Sequence, residues 1–223
     1  MVTQINKLLE LPILYSFRRC PYAIRTRMVL YACGIECELR EVVLKDKPQA
    51  MLDVSPKATV PVLVAQHGII DESIDIIRWA LEVANSVNLS SECLDDPLVK
   101  SNDGVFKHYL DRYKYFDRFP EQSQQTYLDF ACQFVAELEG RLEQQDSPYL
   151  GGNELTALDF VIFPFIRQFA FVDKQKFDEL PYPLIQRWLL VLLESALFKA
   201  VMQKYPAWQP GQAPLMFGKQ LTK

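Results

Sequence analysis

Ser16-Phe17-Arg18-Arg19-Cys20-Pro21-Tyr22-Ala23 joins a short apolar run to a helix-patterned one. Residues 11–16 (Leu-Pro-Ile-Leu-Tyr-Ser) have the makings of a strand. From Pro21 onward Ile24, Met28 and Tyr31 recur at helical spacing, and Gly34 is the natural stop. Proline suits the first helical position, because its missing N–H would have no partner there and its φ is already helical. That makes Cys20 the predicted N-cap, with the free helix N–H groups and the helix dipole directed at its sulfur, which favours a thiolate. Arg18, Arg19, Arg25 and Arg27 add positive charge nearby. Ala23 stands where the second cysteine of a Cys-x-x-Cys pair would be, so the site has a single thiol. A cysteine on a strand-to-helix turn is either a small buried residue or a nucleophile, and its local chemistry leaves both open.

Outward from this turn, residues 37–43 alternate polar and apolar, as a half-exposed strand does, and a β-α-β unit with parallel strands follows. Residues 45–53 hold a short helix or loop. Thr59-Val60-Pro61-Val62-Leu63-Val64 reads as a strand with proline near its start, where a ladder N–H is dispensable. His67-Gly68 is a turn and Ile69-Ile70 a short antiparallel return. Asp71-Glu72-Ser73 opens a helix with two apolar stripes, Ile74/Ile77/Leu81 and Ile76/Trp79/Val83, which predicts burial on two faces between its own sheet and a second domain.

Residues 85–96 are polar and aperiodic and are taken as a linker between a domain of residues 1–84 and one of 97–223. Beyond it nearly everything has helical period. Leu98, Val105, Tyr109, Tyr113 and Phe116 mark one long helix, and Tyr127, Phe130, Phe134, Leu138 and Leu142 its antiparallel neighbour. Thr156-Ala157-Leu158-Asp159 is a capping-box signature ahead of a helix over 160–171, with Asp in place of the usual Glu. Residues 181–204 supply one or two more helices. The fold class is α/β followed by all-α.

Composition narrows the function classes. With 223 residues, 49% of them hydrophobic, the chain can bury a substantial core in one or two domains. Its 24 basic and 28 acidic residues give a net charge of −4, whereas a nucleic-acid-binding protein usually carries a clustered basic face, so no nucleic-acid partner is expected. Residues 1–10 lack the apolar core of a signal peptide, and the longest apolar run, 188–193, is too short to span a bilayer. A soluble cytoplasmic protein with no membrane partner is the expectation. Cysteines 20, 33, 37, 93 and 132 form no even-numbered disulfide framework, and with only His67 and His108 as further ligands no metal site is expected. Cys132, between Ala131 and Phe134, reads as core.

A helix-capping cysteine, a Val-Pro strand start and an acidic-plus-serine helix start, followed by a helical domain with a Thr-x-x-Asp box, resemble the glutathione transferases over essentially the whole chain. Ser16 to Gly34, Lys45-Asp46-Lys47-Pro48 and Val60-Pro61-Val62-Leu63 resemble the omega class, which carries its active-site cysteine in a Cys-Pro-Phe/Tyr-Ala context. The resemblance implies a thioredoxin-like N-terminal domain with a mixed four-stranded sheet, then an all-helical domain, in a homodimer. It implies glutathione as co-substrate, with Cys20 forming a mixed disulfide and Val60 presenting its backbone to the cysteinyl part beside a cis Pro61. Glu72 would meet the γ-glutamyl ammonium, Ser73 the γ-glutamyl carboxylate, and Lys47 the glycyl carboxylate, with Lys45 and Lys57 as nearby alternatives. Tyr22 and the stripe Tyr109, Tyr113 and Phe116 either pack or line a pocket for a small hydrophobic or oxidised substrate. Thiol transfer, including dehydroascorbate reduction, is the leading expectation. Conjugation of electrophiles, with the hydroxyl of Tyr15 or Ser16 in play, is the runner-up, and a non-enzymatic regulatory protein keeping this fold is the third.

Overall fold

The computed structural model describes residues 11–84 and 89–218, so Met1 to Glu10 and the first part of the expected linker, residues 85–88, lie outside the described residues. These residues fall into two compact units, one of 11–80 with 204–218 and the other of 81–203.

The first unit is built on β1 (Ile13–Ser16), α1 (Pro21–Ala32), β2 (Cys37–Glu41), α2 (Gln49–Val54), β3 (Val62–Ala65), β4 (Gly68–Ile70) and the first turns of α3 (Ser73–Ala84). β1 and β2 pair in parallel across α1, while β3 runs antiparallel to β1 and β4 antiparallel to β3. Leu14, Tyr15 and Ser16 are buried in succession, as in a central strand covered on both faces. α1 stops as its sequence predicts, with Cys33 as C-cap and Gly34 at φ 66°, where a β-carbon is disfavoured.

Two expectations are corrected here. The sheet has five strands, not four, in the order β4-β3-β1-β2-β5. The fifth, β5 (Met216–Phe217), comes from the tail of the chain and pairs antiparallel with β2 (Cys37 opposite Phe217). The tail is fastened at several points. Leu39 N–H donates to Leu215 O (2.8 Å) and Trp208 N–H to Glu41 O (2.9 Å). The Arg40 guanidinium lies 4.4 Å from the Trp208 ring centroid while donating to Tyr15 Oη (2.6 Å). Gly218, at φ 97°, passes so close to the Ile35 carbonyl that a β-carbon would stand 2.0 Å from it. The second correction concerns α3. Ser73, Ile76, Ile77, Ala80 and Leu81 are buried, one stripe at i, i+3, i+4, i+7 and i+8, while Val83 is 58% exposed. Of the second predicted stripe, Ile76 is buried, Trp79 half-buried and Val83 exposed, so that stripe is covered only towards the start of α3.

The second unit is helical. A 3₁₀ turn (Ser91–Asp95), capped by Ser90 Oγ accepting from Glu92 N–H (3.1 Å), occupies the later part of the expected linker. Asp96 then caps α4 (Pro97–Ser101) through its side chain. The long helix expected over 98–116 is interrupted. A π turn (Asn102–Phe106) separates α4 from α5 (Lys107–Lys114), and a 3₁₀ turn (Phe116–Arg118) follows. Asn102 and Phe106, at the two ends of the π segment, are both fully buried. α6 (Gln124–Gln145), α7 (Ala157–Ala170), α8 (Lys174–Asp178), α9 (Pro183–Glu194) and α10 (Ala196–Val201) complete the unit. Glu139 on α6 accepts from Leu184 and Ile185 N–H (3.0 and 2.8 Å), capping α9 from a neighbouring helix.

The Thr156–Asp159 box forms as its spacing predicts. Asp159 Oδ2 accepts from Thr156 N–H (3.0 Å) and Oγ1 (2.9 Å), while Oδ1 accepts from Leu150 N–H and Trp188 Nε1–H (both 2.8 Å). One fully buried carboxylate thereby joins α7, α9 and the loop before α7. Gly151 lets that loop close, since a β-carbon there would meet Thr156 Oγ1 at 2.2 Å.

Candidate active site

Cys20 is the N-cap of α1, with extended backbone (φ −74°, ψ 124°) and Pro21 behind it. Its N–H donates to Phe17 O (3.1 Å) and its carbonyl accepts from Ile24 N–H (2.8 Å), so the thiol is carried at the mouth of the helix. Sγ lies 3.7 Å from Val60 O and donates to it. The Val60–Pro61 peptide bond is cis. Cys20 and Phe17 border a buried cluster of Tyr15, Val42, Met51, Val60 and Val62. The turn, the strand start and the sulfur therefore meet in one place.

Two arginines of α1 are fully buried, and sequence reasoning left both unassigned. Arg27 donates from Nη1 to Ser16 Oγ (2.6 Å) and from Nη2 to Arg18 O (2.7 Å), bridging the two ends of the loop that leads to Cys20. Arg18 N–H in turn donates to Glu41 Oε1 (2.7 Å). Burial draws the Arg27 pKa down to about 10, while the charges of Glu41, Cys20 and Tyr205 pull it back up, so the guanidinium stays cationic at neutral pH. The Glu41 carboxyl is pushed up by burial, against the Arg18 N–H and the Arg27 charge. Both partners thus lose more by leaving water than they regain from each other, which is usual for such pairs. Removing one partner is still costly. Arg27→Met is expected to destabilise the protein by about 2–3 kcal/mol, read as a lowered denaturation midpoint, with Arg27→Lys recovering part of the loss. A change below about 0.5 kcal/mol would mean that Arg27 does not hold the loop.

Arg25 is the second. Its Nε and Nη2 donate to Ser73 Oγ (3.1 and 2.7 Å), and its guanidinium lies 5.0 Å from the Tyr22 ring centroid. The signal for both arginines was in the sequence: they sit among Ile24, Met28, Val29 and Leu30, so a helix buried there had to bury them too.

Ser73 is the first residue of α3, beside Glu72. Glu72 Oε1 accepts from Lys57 Nζ (2.8 Å), which also donates to Asp71 Oδ1 (2.9 Å). Those two hydrogen bonds raise the Lys57 pKa to about 12, and the Asp71 carboxyl is lowered by Lys57 and Ser55. Lys57 is thereby committed to the acidic pair. Lys47 stands half-buried in the loop before α2. Tyr109 and Tyr113 lie on α5 of the helical unit, where their rings pack against Phe130 (4.8 Å between centroids) and Phe169 (5.6 Å). Phe116 is 45% exposed.

The other four thiols stand apart. Burial pushes Cys37 up to about 12, Cys93 and Cys132 to about 11, and Cys33 upward. They stay protonated near neutrality and are poor nucleophiles there. The two hydroxyls next to the turn are also engaged: Tyr15 Oη accepts from Arg40, and Ser16 Oγ from Arg27.

Comparison with known proteins agrees with this geometry. Residues 14–87 match the family model for the glutathione S-transferase N-terminal domain, and residues 133–190 the one for its C-terminal domain. The chain belongs to the glutathione S-transferase superfamily, as an omega-like member. It is 26% identical to glutathione S-transferase omega-1 of Rattus norvegicus over 192 residues, covering 81% of this chain and 76% of that protein. Among solved structures, a glutathione transferase family member from Pseudomonas fluorescens with two glutathione molecules bound superposes with a TM-score of 0.74 at 18% identity, covering 89% of this chain and 95% of that one. A glutathione transferase from Pseudomonas putida, with one glutathione disulfide bound per subunit, superposes at 0.71 with 17% identity, covering 87% and 91%. Among the described residues of this transferase, no helix is long and apolar enough to cross a membrane.

Proposed function

We propose that the protein is a glutathione-dependent thiol transferase working through a Cys20–glutathione mixed disulfide. The observation that carries this reading is the Cys20 thiol at the start of α1, 3.7 Å from the Val60 carbonyl and beside the cis Pro61, in an omega-like transferase. Glutathione lies along Val60 with its cysteinyl group at Cys20, as an extended peptide adds to a strand end. Its γ-glutamyl end meets Ser73 and Glu72 at the start of α3, and Lys47 takes the glycyl carboxylate.

The Cys20 thiolate attacks the glutathione sulfur of a glutathionylated thiol. The new S–S bond forms as the old one breaks, and the departing thiolate takes a proton from solvent. A second glutathione thiolate then attacks the glutathione sulfur on Cys20, since Ala23 offers no internal thiol. Glutathione disulfide leaves, the Cys20 thiolate returns and the substrate thiol has been reduced. Dehydroascorbate reduction and reductive removal of glutathione from small adducts use the same thiol. Family resemblance adds a homodimer working in the cytoplasm. Conjugation of electrophiles is the second reading. The Tyr15 and Ser16 hydroxyls belong to buried residues, at 2% and 0% exposure, whereas Cys20 is partly exposed, and this favours the cysteine over it.

The test is mass spectrometry of the purified protein treated with glutathione disulfide. One glutathione is expected per chain, located on Cys20 and removed by added glutathione. A folded protein that neither gains this mass nor binds immobilised glutathione would instead be a non-enzymatic member of the fold.

A further inference from the structure

Ser73 and Arg25 are both almost wholly removed from solvent, at 4% and 2% exposure, and they face each other across two hydrogen bonds. A serine hydroxyl has one hydrogen to give and two lone pairs to receive. Here Arg25 Nε–H and Nη2–H both point at Ser73 Oγ, so the acceptor capacity of the oxygen is used up from one side. The hydroxyl hydrogen is left to point away from the guanidinium, and it meets no acceptor among the described residues. A buried donor of this kind, at the first residue of a twelve-residue helix, calls for an acceptor from outside the protein. A carboxylate fits it best. It accepts from the hydroxyl and from the open N–H groups of the helix start, and the buried guanidinium one bond further back carries the opposite charge.

We propose that Arg25 is a positioning residue for the α-carboxylate of the γ-glutamyl group: it fixes Ser73 as a hydrogen-bond donor and places a buried positive charge behind it. The proposal rests on the glutathione reading given above. It assigns the selectivity of this end of the site to a residue of α1, not to α3 alone. The Tyr22 ring lies 5.0 Å from the same guanidinium, a cation–π contact that helps to fix it.

A merely structural Arg25, pinning α1 to α3, would weaken every ligand alike, so the readout is a ratio of affinities. Calorimetry would compare glutathione with γ-aminobutyryl-cysteinylglycine, which lacks only that carboxylate. The wild-type protein is expected to prefer glutathione by about 100-fold, the size of a hydrogen-bonded charge contact. In Arg25→Met the preference should fall to about 10-fold or less, through weaker glutathione binding with the analogue little changed. Arg25→Lys keeps the charge but cannot reach both lone pairs in one fixed fork, and should fall in between. It serves as the deciding variant if Arg25→Met does not fold. An unchanged ratio in a folded variant overturns the role of Arg25 while glutathione binding stands. A folded wild-type protein that binds neither compound overturns the glutathione reading itself, and this inference with it.

Discussion

Cys20→Ser is expected to lose thiol transferase activity by at least about 10³-fold while keeping the fold and most of the affinity for glutathione. The attack needs an anion. A serine hydroxyl at the same N-cap is neutral at working pH and has no comparable reactivity toward a disulfide sulfur. The substitution changes one atom, and Ser is itself a favoured N-cap, so α1 keeps its start. The measurement is reduction of a glutathionylated small thiol, followed with glutathione in excess, alongside binding to immobilised glutathione. Transfer that persists in the variant would sink the mixed-disulfide mechanism. Conjugation that persists while transfer is lost would be equally informative, since it would assign the two chemistries to different groups. The raised pKa values of Cys33, Cys37, Cys93 and Cys132 keep the experiment clean, because none of them offers a ready substitute near neutral pH.

Asp159→Ala should be the most damaging change to stability, by about 4 kcal/mol, or roughly 10 °C in thermal midpoint. Its carboxylate is fully buried and accepts from Leu150, Thr156 and Trp188, so truncation strands several donors at once. The indole N–H of Trp188 and the amide of Leu150 have no water to turn to. Asp159→Asn keeps one acceptor oxygen but turns an amide toward either the Thr156 or the Leu150 and Trp188 donors, so it should lose about half as much. A loss below about 1 kcal/mol for the alanine variant would show that the helical unit is held elsewhere.

Local signals were legible in the sequence and distant ones were not. Pro21 after Cys20, Gly34 after α1, and Thr156 three residues before Asp159 each follow from which backbone groups lack partners at a helix end, and the structure has all three features. The cis peptide at Pro61, expected from resemblance, is also present. β5 escaped notice because two residues show no periodicity, and their partner strand lies near the other end of the chain. The stripes of α3 misled because Val83 is apolar yet exposed, and hydrophobic residues at a surface are common. The π turn at Asn102–Phe106 has no compositional mark that separates it from ordinary helix. Arg25 and Arg27 were visible as charges. Their partners, Ser73 in one case and Ser16 with the Arg18 carbonyl in the other, emerge only when the chain has folded.

The pairing of β5 with β2 also bears on the order in which the protein is made. During synthesis from the N-terminus, β1, β2, β3 and β4 are all available before the helical unit exists, yet among the described residues the outer edge of β2 has no neighbour until Met216 and Phe217 emerge. An unfilled strand edge is a template for a strand of another chain. The interval of risk is the time needed to translate α4 through α10. β5 acts as a late seal on the sheet, and Trp208, which precedes it in the chain and lies against Arg40, brings it to the edge it closes.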